Sequence, residues 1–458
     1  MEKHHHHERS TFSGKLGFVL SAAGASVGLG NIWRFPYLAA KYGGGIFLLI
    51  YIILALTFGY SMIIAETALG RMTRKSPVGA FGKFGKSKWL SFGGWINAVI
   101  PILIVPYYSV IGGWVIKYLI EYVKGNSQKL AEDGYFSAFI SDGTSTEICF
   151  LVFALLTLAI IFAGVRNGVE RVSKFMMPIL VFLSVLIAIY SVTRPGALAG
   201  VKYFLVPNPA NFSWMTVVAA MGQMCYSLSI AMGILVTFGS YMKRDVSIEG
   251  STTNVEIFDT AIAIMAGLMI IPAVFAFSGG DPDTLQAGPA LMFITIPKVF
   301  ANMGFGTPIG IIFFLLVLMA ALTSSIALTE SAVSTFQDEL RWPRKGATVI
   351  VGIIMVILGS LSSLGYGPLA FVKIIGMQFL DFFDFLTNSV MMPIAAFATC
   401  ILISRVIGVG KIEEEVEADG GSFKRKKVFR FMIRYLCPIF AVIILLSSVA
   451  NAFGWISM

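Results

Sequence analysis

The chain has 458 residues, 57% of them hydrophobic and only 13% charged, and carries a formal net charge of +9. A charged share about half that of soluble proteins cannot cover a water-facing surface, which excludes a soluble enzyme. Repeated apolar runs of about 20 residues, each able to cross ~30 Å of hydrocarbon, point to an all-α integral membrane protein.

In chain order, residues 1–13 are read as a cytoplasmic tail, with His4–His7 as a tag remnant or disordered stretch outside the fold. Spans 1–5 are expected at 14–40, 46–70, 89–123, 147–164 and 174–192, and 193–212 is an extracellular connector. Spans 6–10 follow at 213–242, 255–278, 306–336, 347–365 and 372–404, so the first repeat is 14–192 and the second 213–404. Within the second, 279–304 is too interrupted to cross and reads as an extracellular hairpin lid. Residues 405–458 supply a cytoplasmic loop and span 11 at 427–455, eleven spans in all.

Connector charge sets the orientation. Arg71, Arg74, Lys75, Lys83, Lys86 and Lys88 follow span 2; Arg166, Arg171 and Lys174 follow span 4; Lys424–Lys427 precede span 11. Bases collect on the inner side, so the amino terminus is expected in the cytoplasm and the carboxy terminus outside. The net charge is thus an orientation signal, with no nucleic-acid partner implied. The first apolar run is too long for a cleavable signal peptide. Cys149, Cys225, Cys400 and Cys437 are scattered without a CxxC pair, and the spans contain no His. A membrane-embedded enzyme would need a metal or nucleophile constellation, and no HExxH occurs. The protein is read as a non-enzyme with no catalytic residues.

Two spans carry small, polar, glycine-bearing interruptions at mid-membrane: Gly24–Asn31 in span 1 and Ser227–Gly233 in span 6. Each glycine costs a helix interior about 1 kcal/mol relative to alanine. One such stretch alone is equally compatible with close helix packing. Two at equivalent places in successive sets of five spans point to an inverted-repeat secondary transporter with its site at the midplane. Unwound N–H groups suit an anion, and unwound carbonyls suit a cation such as sodium.

GLGNIWRFPY (28–37) with GGG (43–45), the span 6 motif and ALTSSIALTE (321–330) closely resemble the neurotransmitter:sodium symporter family, from Arg9 to the end of span 11. Ending after eleven spans resembles its bacterial branch of multi-hydrophobic amino acid and tyrosine transporters. The resemblance implies the LeuT fold, a 5+5 inverted repeat with helices 1 and 6 broken, in a bacterial inner membrane. It implies two sodium ions. One would be held by Ser26, Asn31, Ser227 and Asp259 with the substrate carboxylate; the other by carbonyls of Gly24, Val27 and Ala320 and hydroxyls of Thr323 and Ser324. Alone, Thr323–Ser325 would more often bond back to their own helix.

An acid within a span is functional by default, and Asp259 is the informative one. Many relatives have Asn there and need chloride. Tyr51, Gln223 and Ser227 keep the look of a chloride site while Ala263 replaces Ser or Glu, so Asp259 is expected to remove any chloride requirement. The substrate would be an α-amino acid. Its carboxylate would meet the N–H groups of Gly28, Leu29 and Gly30 and the Tyr108 hydroxyl, and its ammonium the carbonyls of Ser26, Tyr226 and Ser229. Ile104, Tyr226, Met232 and Leu328 would wall the side chain, with Ser227 and Ser324 completing the set. Tyrosine or tryptophan is favoured over branched-chain aliphatic substrates because a flexible thioether adapts to a ring. A sodium-dependent amino acid sensor on the same fold is the alternative.

Arg34 and Asp384, with Asp381 as rival partner, would form an extracellular gate. Arg9 and Asp338, beside Phe12, Ser240 and Tyr241, would form an intracellular one, each pair also explicable as a surface salt bridge. Phe12 departs from the family's usual Trp, which would loosen the inner closure. Gly168 and Pro178 resemble the motif that unwinds helix 5 to release inner sodium. The monomer is the expected functional unit.

Overall fold

The computed structural model describes residues 9–285 and 288–456, so the His4–His7 block lies outside the described residues. The described chain is helical, and a bridge between Ile374 and Met377 stands isolated from any strand. Nine described helices are long and apolar enough to cross a membrane: Gly45–Thr73, Lys88–Val123, Gly143–Phe162, Val165–Val192, Ile248–Ser278, Gly306–Leu340, Arg344–Leu364, Phe379–Ile407 and Lys426–Ala452. These are spans 2–5 and 7–11. Lys15–Ser26 and Gly30–Lys41 bend by 54° at their junction and together form span 1. Span 6 is divided into Trp214–Ser227 and Ile234–Ser240, and the count of eleven rests on taking these halves as one crossing.

Several boundaries differ from expectation. Span 10 begins at Phe379 instead of 372, because Ile375 and Gly376 both take positive φ (54° and 78°) and turn the chain back before it can coil. Span 5 begins at Val165 instead of 174: Gly164 (φ 94°) closes span 4, and a π-helical turn over Val165–Glu170 leads directly into Arg171–Val192. Arg166 and Arg171 therefore lie on a helix. The stretch expected to form a hairpin lid contains the short turn Pro282–Thr284 and the apolar helix Leu291–Ala301.

Glycine lets spans 2 and 6 touch through their backbones. A Cβ on Gly70 would lie 2.0 Å from the Val236 carbonyl oxygen, and one on Gly239 would lie 2.3 Å from that of Thr67. Small residues permit this approach where lipid supplies no hydrophobic drive. Arg71, buried in span 2, donates to the Val246 carbonyl at 2.7 Å and pairs with Glu415 at 2.6 Å. Span 2, the connector after span 6 and the short helix Val409–Val416 are thereby joined.

Candidate ion and substrate sites

The two helix breaks face each other across the protein's centre. In span 1, Val27 leaves the helix with extended backbone (φ −76°, ψ 96°). In span 6, Ser229 and Ala231 hold φ of 54° and 59°, a region costly to any residue with a side chain. Glu66, fully buried in span 2, accepts the Ala231 N–H at 2.8 Å, and the Ser229 hydroxyl donates to the Ala25 carbonyl at 3.1 Å. Glu66 was missed in the sequence. An acid in the middle of an apolar span was the available signal, but its partner is 165 residues away.

A small cavity lies between the breaks. Ser26, Gly28, Leu29, Gly30, Ile104, Tyr108, Tyr226, Ser229, Met232, Ser324 and Leu328 all line it, joined by Ala25. Ser227 alone of the expected lining residues is absent: its hydroxyl turns away and donates to both carboxylate oxygens of Asp259 at 2.9 Å. The Tyr108 hydroxyl is at the cavity wall and accepts the Leu29 N–H at 3.3 Å.

Asp259 is fully buried and gathers the first oxygen cluster. The Asn31 amide donates to it at 2.8 Å and the Tyr51 hydroxyl at 3.2 Å, while the Asn31 oxygen accepts the Gly28 N–H at 3.3 Å. The hydroxyls of Tyr51 and Ser227, which look like chloride ligands in the sequence, are thus directed at the Asp259 carboxyl group. Gln223 instead donates to the Gly30 carbonyl at 3.0 Å. Ala263 is buried one turn beyond Asp259 and supplies no polar group.

The second cluster joins spans 1 and 8. The Ser324 hydroxyl lies 3.2 Å from the Gly24 carbonyl oxygen and 3.4 Å from that of Val27, whereas the Thr323 hydroxyl bonds back to its own helix, donating to Met319 and Ala320 at 3.1 Å each. A Cβ on Gly24 would stand 3.2 Å from Thr323 and 3.6 Å from both Ser173 and Met177 of span 5. All five expected residues therefore meet, and they do so against the stretch of span 5 between Gly168 and Pro178. Neutral oxygens in this number suit a hard monovalent cation. Span 5 itself is wound here, with Gly168 in the π turn and Pro178 inside the helix.

One face is sealed. Arg9 pairs with Asp338 at 2.6 Å, donates to Ser240 and Ser334 at 2.8 Å each, and lies 5.0 Å from the Tyr241 ring centre. Phe12 is buried edge-on against Phe18, Phe238 and Tyr241, so the smaller ring still fills its place. The Asp338 carboxylate also accepts the Ser76 N–H at 2.6 Å. Arg9→Ala is expected to raise the labelling rate of a buried Ser331→Cys probe by roughly ten-fold, since a half-buried pair contributes about 1 kcal/mol or slightly more. Unchanged reactivity toward a maleimide would assign Arg9 to the surface alone.

The opposite face differs from the sequence expectation. Arg34 and Asp384 form no ion pair: Arg34 stacks 5.2 Å from the Tyr226 ring centre, and Asp384 accepts from Tyr107 at 3.2 Å and Asn388 at 2.6 Å. Asp381, the rival, accepts instead from Tyr366 at 2.9 Å. The Tyr226 ring face engages the Arg34 cation while hydroxyl and amide donors engage Asp384, and a vestibule with about 560 Å³ of empty space is bordered by Arg34, Tyr226 and Asn388. Tyr226 borders this vestibule and the central cavity alike, a partition one ring thick.

Comparison with known proteins agrees with this geometry. The solved structure of MhsT in complex with L-phenylalanine matches with a TM-score of 0.84 and 35% identity, covering 96% of this chain and all of that one. The architecture is therefore the LeuT fold, an inverted repeat with helices 1 and 6 broken. An uncharacterized sodium-dependent transporter of Bacillus subtilis (strain 168) is 34% identical over 445 residues, 96% of this chain and 97% of its own length. The sodium- and chloride-dependent GABA transporter 2 of Mus musculus is 27% identical, over 90% of this chain and 75% of that protein. The family profile described as "Sodium:neurotransmitter symporter family" matches residues 9–131 and 136–454. A multi-pass membrane chain with oxygen-lined helix breaks, matched by that profile over nearly its whole length, belongs to the sodium:neurotransmitter symporter family, whose members are secondary transporters and not enzymes.

Proposed function

We propose that the protein is a sodium-coupled importer of a bulky hydrophobic L-α-amino acid, tyrosine or tryptophan before leucine, working by alternating access. The observation that carries this reading is the central cavity, where two unwound backbone segments and two oxygen clusters meet. The N–H groups of Gly28, Leu29 and Gly30, two of which now donate to Asn31 and Tyr108, turn with the Tyr108 hydroxyl to the carboxylate, and carbonyls of Ser26, Tyr226 and Ser229 take the ammonium. Ile104, Met232 and Leu328 leave an apolar wall for the side chain. The bound phenylalanine in the MhsT structure supports a ring-bearing substrate.

Two sodium ions are moved, one beside Asp259 and one between Gly24, Val27, Ala320, Thr323 and Ser324. Driving two charges through 100 mV supplies ~4.6 kcal/mol, enough for roughly 10³-fold accumulation. The outward state has the Arg9–Asp338 latch closed, as here. Forming Arg34–Asp384 contact over Tyr226 occludes the cargo. Releasing the latch and melting span 5 between Gly168 and Pro178 then uncovers the second ion, because Ser173 and Met177 cover it. The amino terminus is cytoplasmic, the membrane is a bacterial inner membrane, and the monomer is the working unit.

Uptake of labelled tryptophan into proteoliposomes checks the reading directly. Uptake is expected under an inward sodium gradient, absent with potassium, and suppressed by excess tyrosine or phenylalanine more strongly than by leucine. Sodium-independent uptake, or binding without accumulation, would refute it.

A further inference from the structure

Outside the central sites, an apolar groove with about 1120 Å³ of empty space lies between the start of span 3 and the end of span 10. Phe84, Trp89 and Phe92 form one wall and Ile394, Phe397 and Val406 the other, and no acidic residue lines it. From Ile394 to Val406 the helix rises ~18 Å at 1.5 Å per residue. That approximates one leaflet, half of a hydrocarbon core ~30 Å thick. The groove thus has the length of a single acyl chain standing along the bilayer normal.

Its mouth is basic. Lys86 lines the groove, Lys88 lies between the lining residues Ser87 and Trp89, and Arg405 precedes Val406. All three are exposed and have no hydrogen-bond or ion-pair partner among the described residues, whereas nearby Lys83 donates to the Met72 carbonyl at 3.1 Å. The mouth is at the end of the molecule that bears the Arg9 latch: Asp338 accepts the Ser76 N–H, and Ser76 opens the turn Pro77–Gly82 that supplies Phe81 to the groove.

We propose that this groove is a binding site for an anionic glycerophospholipid, its acyl chain lying between spans 3 and 10 and its phosphate held by Lys86, Lys88 and Arg405. A phosphate at headgroup depth answers three unpaired cations that zwitterionic lipid leaves uncompensated. A second copy of the chain fits less well, since a two-fold contact would set the same bases against each other. By standing against Phe81 and Ser87, the lipid braces the turn that Asp338 grips.

The test uses the full chain in nanodiscs of mixed phosphatidylglycerol and phosphatidylcholine, followed by native mass spectrometry of retained lipid. Phosphatidylglycerol is expected to be retained in clear preference, with occupancy falling roughly five-fold for each of K86Q, K88Q and R405Q. Ile401→Trp, which fills the groove and keeps the charges, is expected to lose the lipid as well. Equal retention of the two lipids, or undiminished phosphatidylglycerol in the triple charge variant, would overturn the site. So would a dimer cross-linked from Trp89 to Phe397 of another copy in place of bound lipid.

Discussion

Asp259→Asn is expected to lower sodium-driven uptake in gluconate buffer by at least about 100-fold and to recover part of it when chloride is supplied. The reasoning is electrostatic. Asp259 is fully buried and accepts hydrogen bonds from Asn31, Ser227 and Tyr51. On the proposed reading it also neutralises the adjacent sodium ion. Removing one partner of a buried charge pair costs about 3–5 kcal/mol, which is a factor of roughly 10² to several thousand in ion affinity. The amide keeps the shape and loses the charge, so the Tyr51 and Ser227 hydroxyls are freed to hold a chloride ion. Titrating uptake against sodium in both anions measures this. An unshifted sodium dependence would remove Asp259 from the ion site, and wild-type uptake that needs chloride would remove its role as internal counter-charge.

Gly28→Ala is expected to weaken cargo and sodium together. A Cβ there would meet the Ser324 hydroxyl oxygen at 2.6 Å and the Tyr108 hydroxyl at 3.0 Å. Ser324 belongs to the ion cluster and Tyr108 to the cavity wall, so one methyl group presses on both. Overfilling a packed site costs about 1–3 kcal/mol, or roughly five- to 150-fold in affinity. Gly30→Ala makes a useful contrast, because its Cβ would strike only the Tyr226 ring, at 2.5 Å, and should weaken cargo while sparing the second ion cluster. Gly410→Ala, with nothing within 4 Å, serves as the unaffected control. Scintillation proximity binding of labelled substrate, titrated with sodium, separates the effects. A Gly28→Ala protein with unaltered affinity for both ligands would contradict the shared wall.

The breaks in spans 1 and 6 were legible because glycine and serine clustered at mid-membrane violate what an apolar helix requires. The cavity lining was named from the family resemblance and not from the breaks, since Ile104, Tyr108, Ser324 and Leu328 lie in the unbroken spans 3 and 8. Asp259 stood out as a charge where hydrocarbon was expected. Other features depend on contacts that no local pattern encodes. Glu66 matters through an N–H in span 6, and Arg71 through a carbonyl at Val246 and a carboxylate at Glu415. The Arg34–Asp384 pair was read from charge complementarity, but Tyr226, Tyr107 and Asn388 engage those charges in this conformation. Boundaries moved wherever positive φ at Gly164, Ile375 or Gly376 ended or redirected a helix.

Main-chain carbonyl and N–H groups at the two breaks, with the Tyr108 hydroxyl, are what the proposed function sets against the charged ends of the cargo. On the proposed reading, point mutation can reshape the compartment around Ile104, Met232 and Leu328 without erasing recognition of the amino acid's charged ends. Diversification of cargo is thereby uncoupled from the machinery that drives it, and a lineage built on this scaffold can acquire new nutrients one wall residue at a time.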